Sequence, residues 1–132
     1  METILLVEDE EPVRAVVRKT LSANGYTVLE ARHGRDALLA SDRHRGPIHL
    51  LLSDVVMPEM GGRELAERLT AQRQDLRVLF MSGYTSDEVV RKGIEGAGFM
   101  QKPFTSADLL RAVRERLDER AEAAEAVSAE PA

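Results

Sequence analysis

The chain has no cysteine and no tryptophan, and only 4% of its 132 residues are aromatic. Without thiols, disulfides and thiolate metal sites are excluded, and the reducing cytoplasm is the expected compartment. So few aromatics leave little to stack on bases, and a net charge of -5 sets up no field that draws in phosphate backbones, so no nucleic-acid partner is expected. No apolar run is long enough to span a membrane, and Met1 leads through one short apolar run into acids, not into a signal sequence; no membrane association is expected. Lysine is scarce as well: of 18 basic residues only Lys19, Lys92 and Lys102 are lysines. A chain of this length is expected to form one domain that buries roughly two-thirds of its unfolded surface without staples.

What is present is organised around His49 to Pro58, an unbroken apolar run that stops at Asp54 and turns before Pro58. A short continuous apolar run bounded by turn signals reads as a strand buried on both faces, the kind found in parallel sheets. Taken alone, Asp54 could simply end the strand and start a turn. In open α/β sheets, however, ligands bind outside the carboxyl ends of the strands, where Asp54 emerges.

Four more strands read similarly. Thr3 to Val7 ends at Glu8-Asp9-Glu10-Glu11; Tyr26 to Glu30 is the second, Leu76 to Met81 the fourth and Ala97 to Gln101 the fifth. Between them lie helical patterns. Pro12, Val13, Val16, Val17 and Leu21 form an apolar face that Asn24-Gly25 terminates, and Glu10 and Glu11 suit the positive end of that helix. Gly34 to Ala40 gives a short helix with Ala37, Leu38 and Leu39 inward, and Arg63 to Ala71 another with Leu65 and Leu69 inward. Asp87 to Lys92 has a weak helical pattern, consistent with a mobile element. Thr105 to Asp108 supplies a variant capping box for a last helix with Leu109, Leu110, Val113 and Leu117 on one face. From about Arg120 the chain turns to Ala, Glu, Ser and Pro, expected as frayed helix passing into a disordered tail over 121–132. His33, His44 and His49 share no metal-ligand spacing and read as ordinary surface or loop residues.

Strands joined by helical crossovers must be parallel and right-handed, so the expectation is an α/β fold: a doubly wound five-stranded parallel sheet with five helices. The carboxyl ends of its strands then share one rim, which collects Glu8, Asp9, Asp54, Ser82 and Lys102. Three carboxylates so close repel one another; at neutral pH one takes a proton or a cation sits between them. A hard ion such as Mg²⁺ suits all-oxygen ligands, and Lys102 adds a compact positive charge for a phosphoryl oxygen. Ser82 offers a hydroxyl, and Gly83 lets the backbone approach closely. The set reads as a carboxylate nucleophile equipped for in-line phosphoryl transfer, its product an aspartyl phosphate at Asp54.

Glu8-Asp9 after strand one, Asp54-Val55-Val56-Met57-Pro58 after strand three, Ser82-Gly83 after strand four and Lys102-Pro103-Phe104 after strand five together resemble the receiver domain of bacterial two-component response regulators, over about residues 1–120. The resemblance implies the flavodoxin-like strand order 2-1-3-4-5. It implies Asp54 as phosphoacceptor; Glu8, Asp9, Asp54 and the Val56 carbonyl as Mg²⁺ ligands; Ser82 and Lys102 as phosphoryl-binding groups; and a cis Lys102–Pro103 bond. Phe99 becomes the aromatic partner of Ser82 in a switch, its alternative being an edge-strand core residue. Ser82, Phe99 and Gly83 stand where Thr, Tyr and Ala are usual.

The function implied is a phosphorelay module, not a classical enzyme, that takes its phosphoryl group from a histidine kinase or phosphotransfer protein and acts on an unknown downstream protein as a monomer or phosphorylation-dependent dimer. It would be a stand-alone regulator or part of a hybrid sensor kinase. An aspartyl-nucleophile phosphatase would want a second acid where Val56 stands, and a flavodoxin-like electron carrier a Ser/Thr/Gly-rich loop where the four acids stand. A degenerate receiver acting through phosphorylation-independent binding is the remaining alternative.

Overall fold

A computed structural model of the chain describes residues 2–83 and 98–129, with side chains as far as Glu119. Five strands, β1 (Thr3–Val7), β2 (Thr27–Ala31), β3 (Leu50–Asp54), β4 (Arg77–Ser82) and β5 (Gly98–Gln101), form one parallel sheet in the order β2-β1-β3-β4-β5. The helices described are α1 (Glu11–Ala23), α2 (Gly34–Arg43), α3 (Gly62–Gln72) and α4 (Ser106–Ala129). The helix expected over Asp87 to Lys92 lies outside the described residues.

The register explains why the apolar runs are continuous. Leu5 is level with Leu29 and Leu51, and Leu51 with Val78, so neighbouring strands send side chains to the same face in step. Leu5, Val7, Leu51, Val78 and Phe80 meet Ala37 of α2 and Leu65 and Leu69 of α3 on one face. Ile4, Leu6, Leu50, Leu52, Leu79 and Met81 meet Val17 and Leu21 of α1 and Leu109, Val113 and Leu117 of α4 on the other. A strand covered on both sides has no polar face to alternate with, and β1 and β3 are buried at every position. Each fully buried leucine contributes about 2 kcal/mol from removal of apolar surface from water.

Local chemistry sets the ends. Gly25 takes φ +92° after α1, a left-handed conformation that favours glycine. At α4 the Asp108 N–H donates to Thr105 Oγ1 at 3.0 Å and the Thr105 N–H to Asp108 Oδ2 at 3.2 Å, the expected reciprocal box. The backbone of α4 is helical as far as Ala129, beyond the Arg120 position where fraying was expected.

Two apolar residues read as inward facing are not. Val16 is 62% and Leu39 46% exposed, because α1 and α2 each turn a narrower stripe to the sheet than their apolar composition suggests. The histidines also have duties that the sequence did not reveal. His33 Nδ1 caps α2 by accepting the Asp36 N–H at 3.2 Å, and half-buried His49 accepts the Thr3 N–H through Nδ1 at 2.9 Å. A neutral ring nitrogen can satisfy a strand-end donor wherever the fold brings it within reach, and sequence spacing gives no notice of it.

Candidate functional site

Four parallel strand ends deliver the site to one rim. After β1, Glu8 is fully buried, its N–H donating to the Ala31 carbonyl at 3.1 Å and its own carbonyl accepting from Arg14 Nη1 at 2.8 Å. Its carboxylate accepts the Glu10 N–H at 3.2 Å through Oε1. Asp9 follows, exposed. Asp54 is the last residue of β3, 5% exposed, and its carbonyl accepts from Ser53 Oγ at 2.9 Å. A Cβ at Gly62 would run into that same Asp54 carbonyl, so the start of α3 lies directly against the backbone of Asp54 and only glycine fits there.

Ser82, buried at the end of β4, accepts the Lys102 N–H at its carbonyl at 2.9 Å, which sets Lys102 just past β5. The Lys102–Pro103 bond is cis. The Lys102 ammonium donates to Glu8 Oε2 at 2.8 Å and lies 2.7 Å from Asp54 Oδ1, a cation set between two buried carboxylates. Glu8, Asp9 and Asp54 each place one oxygen within 4.8 Å of the others. These oxygens are the hard donors that a divalent ion such as Mg²⁺ requires, so the acidic cluster fits that metal.

The electrostatics follow from crowding. Burial first, and the neighbouring Glu8 second, push the Asp54 carboxyl up to about 8 against the pull of Lys102. Burial opposes the charge on Lys102 most strongly, yet its hydrogen bonds to Asp54 and Glu8 together outweigh it and hold the ammonium above its usual range. The rim is not sealed: a cleft of about 440 Å³ opens over Asp54, Ser82, Gly83 and Lys102, with Val56 and Glu10 at its edge.

The residues singled out in the sequence thus fall into two groups. Glu8, Asp9, Asp54, Ser82 and Lys102 come together at the rim, with Val56 beside them and 59% exposed. Phe99 does not line the cleft; it is half-buried on β5, level with Phe80 and packed against the α2–α3 layer. Arg14 and Gly62 were missed. A basic residue near the start of a helix runs against the dipole preference, which is a signal that Arg14 has a specific partner, and the paired Gly61-Gly62 at a helix start was the corresponding signal for close approach.

A parallel five-stranded sheet of this order, with two buried acids and a lysine at its carboxyl rim, defines the receiver class of signalling domain. The profile of the family "Response regulator receiver domain" matches residues 4–114, and the chain belongs to that family. It is 41% identical over 118 residues to the sensor kinase CckA of Brucella abortus, covering 88% of this chain but 12% of that protein, so it spans about an eighth of the length of that relative. It is 34% identical to the response regulator receiver protein CpdR of the same organism, covering 89% of this chain and 98% of the relative. Among solved structures, the receiver domain of the hybrid histidine kinase CckA superposes with a TM-score of 0.75 at 37% identity, covering 87% of this chain and 98% of that one. The chemotaxis response regulator CheY4 of Vibrio cholerae superposes with a TM-score of 0.77 at 33% identity, with the same coverage of both chains. Among the described residues no helix is long and apolar enough to cross a membrane.

Proposed function

We propose that Asp54 accepts a phosphoryl group from the phosphohistidine of a histidine kinase or phosphotransfer protein in the cytoplasm. The observation that carries this reading is the Lys102 ammonium, 2.7 Å from Asp54 and 2.8 Å from Glu8 at the floor of an open cleft. A buried carboxylate beside a cation and next to solvent can be both reached and neutralised as it reacts. In the transfer, an Asp54 carboxylate oxygen forms the new P–O bond while the P–N bond to the donor imidazole breaks, and the electron pair stays on that nitrogen. Glu8, Asp9, Asp54 and the Val56 carbonyl would hold Mg²⁺, which when bound supplies positive charge for the phosphoryl oxygens. Lys102 binds one of those oxygens and Ser82 donates its hydroxyl to another.

The same reading makes Ser82 and Phe99 the switch pair: a hydroxyl drawn to the phosphoryl group frees space that the Phe99 ring takes up, altering the surface that a downstream protein or second copy meets. Residues 1–120 form the receiver unit, and 121–132 a tail. Activity is confined to gain and loss of the group at Asp54. Val56, exposed, and Tyr84, outside the described residues, stand two positions beyond Asp54 and Ser82, and neither carries a side-chain amide or carboxylate to orient an attacking water, so the phosphoryl group is long-lived; Val56→Asn is expected to shorten its lifetime, and unchanged decay would count against this.

The direct test is intact mass after treatment with a small phosphodonor and Mg²⁺. A base-labile gain of one phosphoryl group in wild type and none in Asp54→Asn is the expected result. No gain in wild type would overturn the reading in favour of phosphorylation-independent partner binding.

A further inference from the structure

The acid pair after β1 is held from behind by a residue that touches none of the reacting groups. Arg14 is nearly buried, with 12% of its side chain exposed, and its guanidinium is shared between two partners. Nη1 donates to the Glu8 carbonyl at 2.8 Å, and Nε lies 3.4 Å from Glu30 Oε1 on β2. Glu30 is in turn bracketed by Arg18, 3.3 Å away. The Glu8 carbonyl belongs to the peptide unit that joins Glu8 to Asp9, and the Glu8 N–H is already fixed on Ala31. The N–H and the carbonyl of Glu8 lie in the two successive peptide units on either side of its Cα, so Ala31 and Arg14 between them restrain the backbone from which buried Glu8 and exposed Asp9 reach the rim.

We propose that Arg14 is a positioning residue for divalent-cation binding: it orients the Glu8–Asp9 peptide so that both carboxylates converge with Asp54, and Glu30 anchors its guanidinium. The inference rests on the Mg²⁺ site proposed above. It makes a prediction opposite in sign to simple electrostatics. Removing a cation near a cluster of acids would by itself tighten binding of Mg²⁺, whereas loosening the peptide that carries two of its ligands weakens it. Groups that orient metal ligands without touching the metal typically contribute ten- to a hundredfold to affinity, and we expect the geometric effect to win.

The test is calorimetric titration of the full chain with MgCl₂ at fixed pH and ionic strength, for wild type, Arg14→Met, Arg14→Lys and Glu30→Gln. Arg14→Met is expected to bind about tenfold more weakly. Arg14→Lys, which can still donate to the Glu8 carbonyl, is expected to recover most of that loss, and Glu30→Gln to lose affinity in the same direction but less. Thermal unfolding without metal verifies that each variant is folded at the titration temperature; if Arg14→Met is not, the lysine and Glu30 variants carry the test, and wild-type affinity in both overturns the proposal. Equal or tighter binding by folded Arg14→Met overturns it as well. Absence of Mg²⁺ binding in wild type would overturn the metal site itself, an outcome distinct from loss of the positioning role alone.

Discussion

The two ends of the same parallel strands treat charge in opposite ways. At the amino ends charged side chains and backbone groups are paired across the fold. The Thr3 N–H finds His49, and the Arg73 guanidinium donates to Ser41 Oγ and to the carbonyls of Ser41, His44 and Gly46. Glu2 meets Arg114, which also reaches Asp118. At the carboxyl ends two carboxylates are buried against each other with one lysine between them, and a third stands nearby. The first arrangement is satisfied as it stands. The second is complete only when a further cation or a proton arrives, and this marks it as the working end of the sheet.

The sharpest way to break this contrast is to remove the shared cation. Lys102→Met leaves Glu8 buried without its ionic partner, and we expect a loss of about 4 kcal/mol in urea unfolding at pH 7 without metal, shrinking under mildly acidic conditions where the acids can protonate. A neutral effect would show that the rim is not strained. Relieving the strain should do the reverse. Asp54 ionises at about 8 in the folded protein against an ordinary 3.8, so the folded state holds a proton that the unfolded chain has released. The stability due to that proton is complete below about pH 4 and is lost as pH rises through 8.

Asp54→Asn, with no charge to form, is therefore expected to be more stable than metal-free wild type at pH 8 by on the order of 3 kcal/mol, allowing for screening at the open cleft. The excess should vanish toward pH 4, as unfolding measured across that range would show. By the same linkage, wild-type affinity for Mg²⁺ should rise with pH toward 8, because the ligand must shed its proton.

At the matched end the effects are smaller and ordinary in sign. Arg73→Met should cost about 2 kcal/mol at any pH between 5 and 8, since it unties α3 from the α2–β3 loop and strips donors from several carbonyls. Glu2→Gln, which weakens an exposed pair with Arg114, should cost about 0.5 kcal/mol and less in high salt. A pH-dependent loss in Arg73→Met would erase the distinction between the two ends.

The contrast also explains what could be read in advance. The apolar runs of β1, β3 and β4 announce a sheet covered on both faces, and each ends in a group with chemistry, so strand ends and site were legible together. Resemblance to a known family added the strand order. The functions of His49, Arg14 and Arg73 were not legible, because each serves a backbone group brought near by folding and not by spacing: Arg73 reaches Ser41 across 32 residues and His49 reaches Thr3 across 46. His33 is local, three residues before Asp36, and was missed because histidine is not among the usual cap residues. Val16 and Leu39 misled for the opposite reason. Their apolar type says nothing of whether a helix turns them inward, and both look out. The strands of this sheet broadcast their burial through composition; the helices disclose theirs only through orientation.

The contact between Gly62 and the Asp54 carbonyl has a mechanical consequence. Ser53 Oγ holds the same carbonyl, and the Val55 N–H is bound to the Met81 carbonyl at 3.1 Å. Moving the backbone of Asp54 would disturb the head of α3 and the β3–β4 ladder at once, in a core packed too tightly to yield gradually. Asp54 is thus a fixed jaw. If Asp54 is phosphorylated as proposed, the accompanying rearrangement is expected at the opposing jaw, the ends of β4 and β5 with Ser82 and Lys102, with β3 the anvil against which they would close.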